Sequence, residues 1–177
     1  MENLKYPIGK FQAPESYTES DISGWIRTIK VFPDKLVKLT NGLSEIVLDY
    51  RYRVDGWTIR QVVHHCADSH MNCIVRIKLA LTEDNPEILP YHEDRWANLP
   101  DAESYDLNAP ISILRGIHEK LGILMESLTE EQLVRTYYHP QMKRKVMLRE
   151  AIATYAWHSE HHLAHIRQAL NSEGKYN

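Results

Sequence analysis

Histidine is the commonest metal ligand and titrates near neutral pH, so its placement is the first chemical signal to follow. The sequence carries ten: His64, His65, His70, His92, His118, His139, His158, His161, His162 and His165. Four fall within residues 158–165 and three within 64–70, both in stretches with apolar residues at helical spacing. At 100° per residue, His158, His162 and His165 share an arc of about 60° beside the apolar stripe. His158 and His162 form an i, i+4 pair, whose ring nitrogens can converge on one ion. Ser159 follows His158, so the His-Glu-x-x-His signature of zinc proteases is absent. About 0.6 such pairs arise by chance in a chain this rich in histidine, so the pair needs a partner from elsewhere.

Residues 64–70 offer that partner in two versions. His70 lies in the middle of its helix's apolar arc. His65 lies off that arc, on a polar stripe with Ser69, Asn72 and Arg76 at i, i+4, i+7 and i+11. Such a stripe is costly to bury in an ordinary core and suits either a wet cleft between helices or a solvated face. Periodicity leaves both choices open. His165, one turn beyond His162, fits a proton acceptor or an orienting partner of a ligand, and equally a satisfied core histidine.

The elements that must position these residues are helices. A first helix is expected from Asp21 to about Asn41, broken or kinked at Pro33. Thr58 to Gln61 is a capping box that opens a second at about 58–83. Residues 84–107 hold little periodicity beyond a turn near 93–98, and form a crossover or a piece of a site. A third helix fits 109–127 with Asn108 as cap, a short one opens at Thr129, and residues 137–148 suit a small hairpin or a loop. The last helix covers about 149–171, and residues 1–17 form an extended lead-in. Four long amphipathic helices with little strand signal predict an all-α four-helix bundle, and its long connections permit crossovers and parallel neighbours.

Composition sets the outer limits. A chain of 177 residues, 43% hydrophobic and 25% charged, suits one domain spanning 1–177. A net charge of −3 excludes a nucleic-acid groove built on bulk positive charge. No apolar run approaches a membrane span, and the start, Met-Glu-Asn-Leu-Lys-Tyr-Pro, lacks the apolar core of a signal peptide. Cys66 and Cys73, about 10 Å apart on a regular helix, cannot pair and suit small core residues in a reducing cytoplasm.

Two segments carry a family resemblance. Gly56-Trp57-Thr58-Ile59-Arg60-Gln61-Val62-Val63-His64-His65, continued by Ala67-Asp68-Ser69-His70-Met71-Asn72, resembles the second helix of the DinB superfamily, in its YfiT-like branch of metal-dependent hydrolases. Tyr155-Ala156-Trp157-His158 through His165-Ile166 resembles that branch's last helix. Shorter matches at Tyr6-Pro7-Ile8-Gly9, Leu81-Thr82-Glu83 to Pro90-Tyr91, and Tyr138-His139-Pro140 extend it over almost the whole chain. The resemblance implies a four-helix bundle with one divalent ion per chain, zinc or nickel, held by His65, His158 and His162. It also implies a cytoplasmic homodimer acting on a small molecule through metal-activated water. Some relatives instead resemble S-transferases that activate a low-molecular-weight thiol such as bacillithiol against electrophiles. Cys66 departs from the branch, which more often has an aliphatic residue there. His92, His118 and His161 are expected at the surface, and His64, His70 and His139 have no assigned role.

Overall fold

Three helix starts in this chain are set by threonine caps. Thr18, Thr58 and Thr129 each accept from the backbone N–H three residues on, while Asp21, Gln61 and Gln132 reach back to the cap N–H. All three sites are capping boxes. In the computed structural model, which describes residues 2–177, the helices are α1 (Glu2–Lys5), α2 (Glu19–Thr40), α3 (Glu45–Leu48), α4 (Ile59–Thr82), α5 (Glu93–Trp96), α6 (Asn108–Glu126), α7 (Glu130–Leu133) and α8 (Leu148–Ser172). Of the hairpin and loop alternatives the structure has the hairpin: strands β1 (Thr136–His139) and β2 (Arg144–Met147) are antiparallel with Tyr137 opposite Val146. None of the helices described is long and apolar enough to cross a membrane.

The four long helices form the predicted bundle, with α2 and α4 each packed against both α6 and α8. Ile77 and Ala80 of α4 share one apolar cluster with Leu121 and Met125 of α6, while Val63 and Cys66 share another with Leu114. These matched levels make α4 and α6 parallel neighbours. In the same way Ile22 and Ile26 meet Ile152 and Ala156, and Phe32 and Leu36 meet Leu163 and Ile166, so α2 runs parallel to α8. Parallel neighbours cannot be joined by a tight turn, which is why residues 83–107 cross the bundle between α4 and α6. His64 pins that crossover by donating from Nε2 to the Ser104 carbonyl at 3.2 Å.

Several local expectations need correcting. Helix α2 runs through Pro33 without ending, because the ring lies in a buried position where packing outweighs one missing hydrogen bond. The cap of α6 is not Asn108: Asp106 Oδ1 accepts from the Asn108 N–H at 2.9 Å. The lead-in begins with the turn α1, and the part of that expectation falling on Met1 lies outside the described residues. The turn α3 was not anticipated.

Between the two apolar clusters runs a polar layer. His70 of α4, His118 of α6 and His158 of α8 occupy one level, opposite the Ile29 carbonyl of α2. Phe32 seals it from below, fully buried, with its ring centroid 5.4 Å from both His70 and His118. Phe32→Ala is expected to destabilise the protein by about 3–5 kcal/mol in urea unfolding. A loss below about 1 kcal/mol would show that the ring is not part of the core.

Candidate metal centre

Helices α4 and α8 are antiparallel, so the polar stripe of one faces the histidine row of the other. The Nε2 atoms of His65 and His162 each lie 3.2 Å from Nε2 of His158. Nitrogens bound to one tetrahedral ion at about 2.0–2.1 Å stand about 3.3 Å apart, so this spacing fits a divalent metal. Among the described residues, His65, His158 and His162 are the group of side chains whose donor atoms come close enough to hold an ion. The polar stripe is therefore a cleft wall rather than a solvated face: His65 and Ser69 are buried, and Ser69 Oγ lies 3.5 Å from His158 Nε2.

The proton positions follow from how the neighbouring rings are anchored. Pro33 has no N–H, so the Ile29 carbonyl four residues earlier lacks its helical donor. His118 Nδ1 lies 2.6 Å from that oxygen and must donate to it. His118 Nε2 then accepts from His70 Nδ1–H at 2.6 Å, and His70 Nε2 accepts from His158 Nδ1–H at 3.1 Å. The chain leaves a lone pair on His158 Nε2. A second chain does the same for His162. His165 Nε2 donates to the Lys5 carbonyl at 3.1 Å, and its Nδ1 accepts from His162 Nδ1–H at 3.4 Å. Two lone pairs thus face each other at 3.2 Å, an arrangement that no hydrogen bond between these two rings satisfies and a shared cation does.

His165 lies behind His162, with its Nδ1 3.4 Å from that of His162. His70, the rival ligand on the apolar arc, instead turns both nitrogens to other histidines. His118 and His161 are not surface residues: they are 2% and 6% exposed. Their places on the stripe 114–118–121 and beside the Trp157 ring were available in the spacing, and His161 stacks on Trp157 at 4.4 Å. His92 is exposed, as expected. Cys66 and Cys73 are buried and unpaired, and burial pushes both thiols up, so neither competes as a thiolate ligand.

Burial also keeps the imidazoles neutral. It lowers His65 and His165 to about 3 and His118 and His161 to about 4. His70, His158 and His162 are held well below their ordinary value by burial and then by neighbouring rings. The centre opens onto a cavity of about 550 Å³, the size of a small-molecule site. Trp57 and Trp157 line it, with the Trp57 ring 4.6 Å from that of His65.

A four-helix bundle with parallel neighbours and a buried three-histidine centre defines a structural class, and comparison with known proteins places it. The profile of the DinB superfamily matches residues 29–166. The chain belongs to the DinB superfamily. It is 42% identical to YfiT of Bacillus subtilis over 172 residues, covering 97% of each chain. It is 45% identical to BH0277 of Halalkalibacterium halodurans over 170 residues, 96% of this chain and 98% of that one. Both relatives carry the provisional name of metal-dependent hydrolase. The solved YfiT structure, described as a probable metal-dependent hydrolase with an unusual four-helix bundle topology, superposes with a TM-score of 0.93 at 41% identity, covering 97% of this chain and 98% of that one.

Two measurements test this geometry. Unfolded histidines titrate near 6.5, whereas these stay neutral far below it, so the unfolded chain binds more protons in acid. Stability of the metal-free protein should be full above pH 6.5 and fall as pH drops from there towards about 3–4, by about 1.4 kcal/mol per pH unit for each such ring. Melting temperatures that stay flat across that window would contradict buried neutral rings. His118→Leu orphans the His70 Nδ1–H and the Ile29 carbonyl, and should cost at least about 1–3 kcal/mol in chemical denaturation. Imidazole nitrogen shifts should show His158 leaving the Nδ1–H tautomer in that variant.

Proposed function

We propose that this protein is a hydrolase of small molecules that holds one zinc or nickel ion through His65, His158 and His162. The observation that carries the reading is the pair of inward lone pairs on His158 and His162, fixed by hydrogen-bond chains and converging with His65 Nε2 at the spacing of ligands around one ion. The names of the relatives, all at similar length, support the same chemistry. Three neutral imidazoles leave a divalent ion its full charge and an open position, the pattern of catalytic rather than structural sites. An ion bound there supplies the Lewis acidity that activates water near neutral pH.

The chain's own residues do the rest. His65, His158 and His162 present Nε2 to one point. His70 and His118 on one side, and His165 on the other, lock two of those rings in the tautomer that ligation requires. Ser69, 3.5 Å from His158 Nε2, places a hydroxyl at the rim of the centre. Trp57 covers His65 and narrows access from solvent.

Elemental analysis of the purified protein is expected to give one zinc or nickel per chain. Alanine at His65, His158 or His162 should lower metal affinity at least about 10–100-fold and abolish ester or amide hydrolysis with it. His158→Ala retaining an ion at unchanged affinity would remove the assignment. Metal-loaded protein that forms a thioether from a low-molecular-weight thiol and an electrophile, yet turns over no ester or amide, would replace hydrolysis by thiol transfer.

A further inference from the structure

The polar stripe of α4 continues past the histidine centre to Arg76, which lines the same cleft as His65 and Ser69. About 10 Å of helix axis separates Ser69 from Arg76, and a helical side chain leans towards the N-terminus, here towards the centre. The Arg76 guanidinium is half-buried, and none of the ion pairs among the described residues involves it. Among the cleft carboxylates, Glu150 is taken by Arg144 through bonds of 2.5 and 3.0 Å, and Glu93, which feels the charge of Arg76, forms no ion pair with it. Arg76 Nε is buried without a hydrogen-bond partner, and Nη1 reaches only the Tyr155 hydroxyl, at 3.4 Å.

A second orphan faces the same space. His139, at the end of β1, lines the cleft and has a buried Nδ1 with no partner. Tyr91 and Tyr137 complete this end, and burial raises both phenols so that they remain O–H donors. The charge of Arg76 is felt by Tyr91, Tyr137 and His139, and also by Glu93, whose carboxyl burial holds above its ordinary value, which places these groups around it. Guanidinium does not lose its proton in proteins, so a half-buried one whose Nε lacks an acceptor is left incompletely solvated until an anion completes it.

We propose that Arg76, with His139 and the hydroxyls of Tyr91 and Tyr137, binds a carboxylate of the substrate. One guanidinium fork and neutral donors match a single negative charge shared by two oxygens, whereas a phosphate dianion would call for further cations. The substrates are then small anionic esters or amides, with the carboxylate on an arm of about three to five carbons from the bond held at the histidine centre. The reaction in this statement rests on the hydrolase reading; the carboxylate subsite rests on the orphaned donors.

The test separates the two. The full-length protein, both metal-loaded and after dialysis against EDTA, is titrated with glutarate and with the neutral glutaramide, following the side-chain signals of Arg76 and His139. Glutarate should bind both forms and shift those signals, glutaramide should not, and Arg76→Gln should weaken glutarate at least about tenfold. The preference in kcat/KM for an acetate ester bearing a carboxylate over its carboxamide analogue should fall by a similar factor. Arg76→Lys, which keeps the charge without the fork, gives the same comparison if the glutamine variant does not fold, and should lose part of the binding. Glutarate binding that is insensitive to both variants overturns the subsite, and inorganic phosphate binding more tightly than glutarate overturns its assignment to carboxylates. Arg76-dependent glutarate binding without turnover of any ester or amide upholds the subsite while removing the hydrolase reading.

Discussion

An imidazole buried in an apolar core has to satisfy two ring nitrogens at once, and this bundle buries several at a single level. Each unsatisfied nitrogen would cost about 1–3 kcal/mol, a large share of the stability of a domain this size. The solution is serial. One ring donates to the next, and each chain ends on a backbone carbonyl that has lost, or never had, a helical partner. The position of α2 against α6, the depth of Phe32 and the docking of the lead-in on α8 all follow from where those carbonyls must be.

Carbonyl ends have an electrostatic meaning. Ligating histidines are often oriented by carboxylates, whose charge offsets that of the ion they serve. Here the groups behind His158 and His162 are neutral imidazoles and then the peptide oxygens of Ile29 and Lys5. A cation at this centre is therefore not neutralised from behind. Its field is directed into the cleft, towards the open side where Ser69 and the tryptophans stand.

The helices and their order of appearance were legible because apolar spacing, threonine capping boxes and turn residues all agreed. The i, i+4 pair on α8 was legible for the same reason. The choice between His65 and His70 was not, since lying on the apolar arc says that a ring is buried and not what it faces. His118 shows the converse. Its spacing with Leu114 and Leu121 places it on the inner face, yet a lone histidine among charged neighbours looks like a surface residue until its partner is known. That partner was hidden in Pro33, whose effect falls four residues upstream on the Ile29 carbonyl and across the bundle on another helix. Arg76 was visible as the end of a polar stripe, but only the fold shows that no acid forms an ion pair with it.

The histidine layer draws on Lys5, Ile29, His65, His70, His118, His158, His162 and His165, and its hydrogen bonds between helices span from 48 to 160 residues of sequence. No hairpin or helix pair contains it, and α4 and α6 meet only after a long crossover. Local opening of one segment cannot loosen the centre without breaking contacts to the other helices, so it belongs to the most cooperative part of the molecule. Occupancy of such a centre is felt as global stability rather than as the ordering of a loop. The bundle and any ion held at that centre would thus form one thermodynamic unit.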